Sequence, residues 1–172
     1  MTKYFAPILS LLIFSSTSMA DCNSNLSYCY HTKFGILDQI TRSTSGDGYS
    51  YLTLNGANIY KAKTDYMSFM DDDMLDDDMG FFKNNKYFTT KTVITYTLNE
   101  RCLDRIDYQG FCSISVVLDF SGDKPVISNG FTPDSGNSVI DWVSWGKANA
   151  IIVFEDESKF KYMNGRVERV VK

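Results

Sequence analysis

Histidine is almost missing from this chain: His31 is the single one in 172 residues. Nucleophilic triads and most catalytic zinc sites depend on imidazole, often on more than one. Those chemistries therefore have little to work with, and no Gly-x-Ser-x-Gly elbow presents a nucleophilic serine. His31 follows Cys29 and Tyr30 in a polar segment and reads as a surface side chain. Proline is scarce as well, at three residues, while 44% of the chain is hydrophobic and 15% aromatic. That excludes a disordered or collagen-like chain. Positive charge is not in excess: the formal net charge is −4, which argues against an electrostatically driven nucleic-acid binder. Phosphate-cradling glycine loops are absent too. Gly46-Asp47-Gly48 follows a Ser/Thr-rich stretch and precedes a strand, so it reads as a turn, whereas a phosphate loop follows a strand and opens a helix.

What is present begins at the N-terminus, MTKYFAPILSLLIFSSTSMA. Lys3 is a short positive region, Tyr4 to Phe14 an apolar one, and Ser18 and Ala20 are small residues placed before a cut at Asp21. These are the three marks of a secretory signal peptide. About eleven apolar residues are too few to cross a hydrocarbon core of roughly 30 Å, and no second stretch approaches a membrane span. Residues 1–20 are thus expected to be a signal peptide, and residues 21–172 a single exported β-rich domain, periplasmic or secreted. Asn25-Leu26-Ser27 would be a glycosylation acceptor only in a eukaryote, and the lack of other acceptor sites tilts the reading toward a bacterial periplasm. The mature chain loses Lys3 and no acid, leaving 16 basic against 21 acidic residues, or −5. A chain of this size buries roughly two thirds of its unfolded surface and needs no metal to fold, so no cofactor is expected.

Four cysteines, Cys22, Cys29, Cys102 and Cys112, are an even number in an exported chain and read as two disulfides. Three connectivities fit. The local one pairs Cys22 with Cys29 and Cys102 with Cys112; the others staple the N-terminal arm to the middle of the chain. A lipid anchor on Cys22 is disfavoured because Asp21 occupies the place where a small residue is required. A zinc site is disfavoured because there is no Cys-x-x-Cys.

From residue 34 onward, short β-type runs alternate with turn signals. Residues 49–54 run into Asn55-Gly56 and then residues 57–62. Asn-Gly between such runs is a strong hairpin signal, since both residues tolerate the positive φ of a type I′ turn. Residues 92–98 place Ile94, Tyr96 and Leu98 on one face and threonines on the other. Residues 114–120 place Val116, Leu118 and Phe120 on one face. Residues 150–154, 159–163 and 166–171 form a three-strand meander, with Asn164-Gly165 as its second turn. The two strand–Asn-Gly–strand patterns read as two hairpins of one β protein, not as a repeat. The expected fold is mainly β, a single antiparallel sheet domain arranged as a meander, sandwich or small barrel, with at most one or two short helices. The best helix candidate is residues 64–80, capped by Thr64 or Asp65 and ended by Gly80; a short helix ending near Asp73, or an irregular loop, fits equally. Aspartate is a poor helix former near a C-terminus.

Within that segment Asp71, Asp72, Asp73, Asp76, Asp77 and Asp78 fall inside eight residues. The register does not match an EF-hand loop. A solvated loop with inward methionines is the simplest account; a docking surface for a basic protein and, behind it, a calcium site are the functional ones. Phe81 and Phe82 follow, and aromatic anchors beside a charged rim suit an interface. The densest basic set, Lys159, Lys161, Arg166, Arg169 and Lys172, is interleaved with Glu155, Glu157 and Glu168 and reads as a salt-bridged sheet face, with no nucleic-acid groove. Trp142 and Trp145 would point to opposite faces of one strand, but a turn near Gly146 would let both pack inside, which is the expectation here.

The function expected is an exported soluble binding protein of the cell envelope, most concretely an inhibitor or immunity protein. It would block a basic toxin or hydrolase through Asp71–Asp78 with Phe81 and Phe82, as a monomer or small oligomer. The alternatives are a carboxylate-dependent hydrolase acting on glycans, which needs only two converging acids, and a structural or adhesive envelope component joined through sheet edges.

Overall fold

The computed structural model describes residues 29–65, 67–70, 80–84, 86–101 and 111–171. In chain order the strands are β1 (Tyr30–Thr32), β2 (Gly35–Ile40), β3 (Ser50–Leu54), β4 (Ala57–Ala62), β5 (Ser68–Phe69), β6 (Gly80–Lys83) and β7 (Lys86–Thr89). There follow β8 (Lys91–Arg101), β9 (Phe111–Asp119), β10 (Val126–Ile127), β11 (Ile140–Trp145), β12 (Asn149–Phe154), β13 (Lys159–Met163) and β14 (Arg166–Arg169). A four-residue helix, α1 (Arg42–Ser45), lies between β2 and β3 and is closed by Gly46 at φ 73°. No helix among the described residues is long and apolar enough to cross a membrane.

The strands make three sheets. The first has the order β4-β3-β2-β1-β7-β6, the second β10-β9-β8-β5, and the third β11-β12-β13-β14. The mainly β expectation holds, but the single antiparallel sheet is corrected on two counts. There are three sheets, and β1 pairs with β7 in parallel through His31 and Phe88. The physical reason lies in β8 and β9, which pair antiparallel along nearly their whole length. Val93 and Val117 enter one core with Trp145, Ile152, Phe154, Phe160 and Tyr162 of the third sheet. Their chain neighbours Ile94, Val116 and Leu118 enter a second core with Leu37 and Leu52 of the first sheet. Side chains alternate along a strand, so a pair of strands apolar on both faces needs a covering sheet on each side. The second sheet is accordingly the middle layer of three.

Local sequence explains the hairpins. Asn55 and Gly56 have φ of 51° and 79°, and Asn164 and Gly165 have 50° and 83°, the doubly positive geometry of a type I′ turn. Both expected Asn-Gly hairpins form, joining β3 to β4 and β13 to β14. The C-terminal meander forms as β12-β13-β14, and β11 extends it at the other edge.

The helix candidate at residues 64–80 is corrected where it is described: no helix forms at 67–70. Ser68 and Phe69 form β5 against Thr95 and Ile94 of β8. Met67 and Phe69 enter the second core while Met70 enters the first. That is a period of two, so the strand wins over the methionine spacing. The rest of the segment, residues 71–79, lies outside the described residues. The expectation that both tryptophans pack inside is also corrected. β11 runs as a strand through Trp145, so Trp145 is buried in the first core and Trp142 is 44% exposed on the opposite face.

Buried polar groups tie the layers together. The Tyr162 hydroxyl, from the third sheet, donates to Asp119 Oδ2 at the end of β9 (2.7 Å). The other oxygen, Oδ1, accepts from the Ser121 amide at 2.8 Å and the Ser121 hydroxyl at 2.5 Å. Burial, and then the bond to Asp119, pushes the Tyr162 phenol well above its ordinary range. Burial and a 2.7 Å bond to Tyr60 do the same to Tyr96.

Candidate functional site

The expected interface is met in part. Asp71, Asp72, Asp73, Asp76, Asp77 and Asp78 lie outside the described residues, but Met70 before them and Gly80 after them do not. Met70 is buried, and its amide donates to the Val93 carbonyl in the middle sheet (2.9 Å). Gly80 opens β6, at the edge of the first sheet. The two residues that flank the segment thus lie at the middle layer and at a sheet edge. Gly80 sits close to the neighbouring strand: a Cβ there would lie 2.4 Å from the Phe88 carbonyl oxygen.

Phe81 and Phe82 are 42% and 77% exposed. They are placed by cross-strand pairing: Phe81 faces Phe88 and Phe82 faces Tyr87. Successive residues alternate faces, so the two phenylalanines make separate aromatic rows. Phe81 stacks on Phe88 at 5.4 Å with planes 8° apart, and Phe88 in turn lies 5.7 Å from His31. On the other face Phe82 meets Tyr87 edge-on at 5.2 Å. The hairpin between β6 and β7 turns through Asn84 at φ 51°. These contacts brace the rings before any partner arrives.

Cys29 and Cys112 each take part in a disulfide, and no described cysteine is free. Cys22 and Cys102 lie outside the described residues. Of the C-terminal basic set, Arg166 Nε is 3.3 Å from Glu168 Oε1, while Arg169 pairs with Asp134. Among the described residues no group of three or more His, Cys, Asp or Glu side chains is placed to hold a metal ion.

A second constellation was not legible in the sequence. A cleft of about 300 Å³ opens where the three sheets meet, lined by Lys33, Phe81, Thr90, Lys91, Ser121, Gly146 and Lys147. Lys33 comes from the β1–β2 turn, Phe81 from β6, Lys91 from the start of β8, and Gly146 and Lys147 from the β11–β12 turn. Lys91 is 2% exposed. A buried ammonium must be compensated. Its Nζ donates to the carbonyls of Gly146 and Lys147, the latter at 2.8 Å, and stands 6.0 Å from the Trp145 ring centroid. The Lys33 ammonium donates to the Ser121 carbonyl (2.6 Å). These lysines come from distant parts of the chain. Only pairing across sheets gathers them, so the linear pattern reads as dispersed charge.

Compared with known proteins, the chain matches no family model, no curated protein and no solved structure.

Proposed function

We propose that the mature chain is an exported binding protein of the cell envelope, an inhibitor or immunity protein that blocks a basic toxin or hydrolase. The surface it uses is the acidic run Asp71–Asp78 with Phe81 and Phe82 beside it. The observation that carries this reading is the pair of exposed phenylalanines braced on the edge strand that follows six aspartates. Exposed aromatics are costly to leave in water and are the usual anchors of protein interfaces. A carboxylate cluster on a chain of net charge −4 steers a basic partner to them. The cleft between the sheets is lined by lysines, with no carboxylate among its lining residues, so it lends nothing to a carboxylate-dependent hydrolase.

The test uses the oxidised mature protein as bait against secreted and envelope fractions of its source and close neighbours, followed by affinity measurement on any partner recovered. The expected result is one basic partner bound at equal stoichiometry, weakened by salt. Changing the six aspartates to asparagine should slow association, and Phe82→Ala should speed dissociation, since rim charges act on encounter and anchors on lifetime. A partner indifferent to both changes, or no partner for a sample shown to be folded, overturns the reading.

A further inference from the structure

We propose that the cleft at the junction of the three sheets is a receptor for a carboxylate carried on a flat apolar group. The proposal stands apart from the acidic-surface reading, because it concerns an anion held by lysines, although Phe81 borders both.

Three lysines line one cleft of an acidic protein, and among the described residues no acid lines it with them. The nearest carboxylate by strand pairing is Asp119, opposite Lys91 across β8 and β9. It is already taken by Ser121 and Tyr162. In the interior the Lys91 Nζ is therefore met by two carbonyls and an indole ring, with no carboxylate partner among the described residues. An ammonium has three N–H donors, and the two carbonyls account for two of them. The third is left over, and a spare donor is what an anion site requires. The carbonyls of Ser121, Gly146 and Lys147 each accept from a lysine, which offsets part of their negative dipole. Phe81 supplies an apolar wall, held flat by its stack on Phe88. The volume suits a compact acid, and an anion between ammonium donors and an aromatic wall gains charge-assisted bonds along with ring contact.

The same chemistry is offered by a free aryl acid and by the C-terminal carboxylate of a polypeptide ending in an aromatic residue. Phenylacetate and N-acetylphenylalanine represent the two sources, with phenylacetamide and N-acetylphenylalaninamide as uncharged controls. Each is titrated into the ¹⁵N-labelled, oxidised mature protein and followed by backbone amide shifts. Acids of this size are expected to bind at about millimolar strength, shifting the Lys91, Gly146 and Lys147 amides, with the amide controls at least about tenfold weaker. Lys33→Gln and Lys147→Gln, both at exposed positions, should each weaken the acid and leave the spectrum otherwise native. Preference for phenylacetate assigns a free acid; preference for N-acetylphenylalanine assigns a chain terminus. Equal binding of acids and amides, shifts confined to other regions, or no saturable shift up to about 20 mM overturns the proposal.

Discussion

Single side chains in this protein often act as clamps on loops, and Asp156 is the clearest case. Its Oδ2 accepts from the Ser135 amide at 2.7 Å and its Oδ1 from the Ser158 amide at 3.0 Å. Its own amide donates to the Ser138 hydroxyl at 3.1 Å. Burial pushes its carboxyl up, but the bonds from Ser158 and Ser135 outweigh that and hold it down at about 2. A folded value below the ordinary 3.8 means that the charged form is favoured by folding. The stabilisation is complete above about pH 4 and is lost as the pH falls toward about 2. Solvent screening limits it to under about 1 kcal/mol. Asp156→Asn is expected to lower Tm by about 2–4 °C at pH 7, and the gap from the unmodified chain should close between about pH 4 and about pH 2. Thermal melts at pH 7, 4 and 2 check this; a gap that widens in acid contradicts it. The cysteines and the Phe81–Phe82 pair were legible at this scale because residue type alone marked them. Lys91 was not, since burial of a lysine is a property of its neighbours.

Strands and turns were the most legible level. Asn55-Gly56 and Asn164-Gly165 need positive φ at both positions, and few dipeptides accept that. The two glycines should nonetheless respond differently to a methyl group. At Gly56 a Cβ would meet nothing within 4 Å, whereas at Gly165 it would come to 2.7 Å from Val126 Cγ1. Gly56→Ala is therefore expected to cost about 1 kcal/mol, the backbone penalty alone. Gly165→Ala should cost more, because Val126 must also move. Urea unfolding of the two variants tests the order, and equal losses would show that the Val126 contact is slack. At residues 67–70 methionines spaced three and four apart suit a helix, but burial on two different cores makes a strand. Tyr66 lies outside the described residues, but Met67 and Phe69 on one core and Met70 on the other decide the matter. The same alternation separated Trp142 from Trp145.

Across the whole molecule, the middle sheet makes the two cores interdependent. Leu118 is fully buried in the core beneath the first sheet, and Ile152 in the core beneath the third. Truncating either to alanine is expected to cost about 2–5 kcal/mol. Since β8 and β9 line both cores, Leu118→Ala should shift the tryptophan fluorescence transition, which reports Trp145 in the other core, together with the far-ultraviolet circular dichroism. A fluorescence transition left in place while the dichroism shifts would mean that the layers unfold separately.

Alternation and turn chemistry are local, acting between residues a few positions apart, so the sequence by itself determined that the chain is mainly β and where its main hairpins turn. The net charge and the aromatic pair after the aspartates were likewise open to reading from residue order. The number of sheets, the parallel β1–β7 contact and the lysine cleft were decided only by tertiary structure. Each depends on pairs far apart in the chain, selected by burying both faces of β8 and β9 at once and by compensating a lysine taken out of water. No local pattern carries that choice, because a strand apolar on both faces states that it must be covered without stating by what.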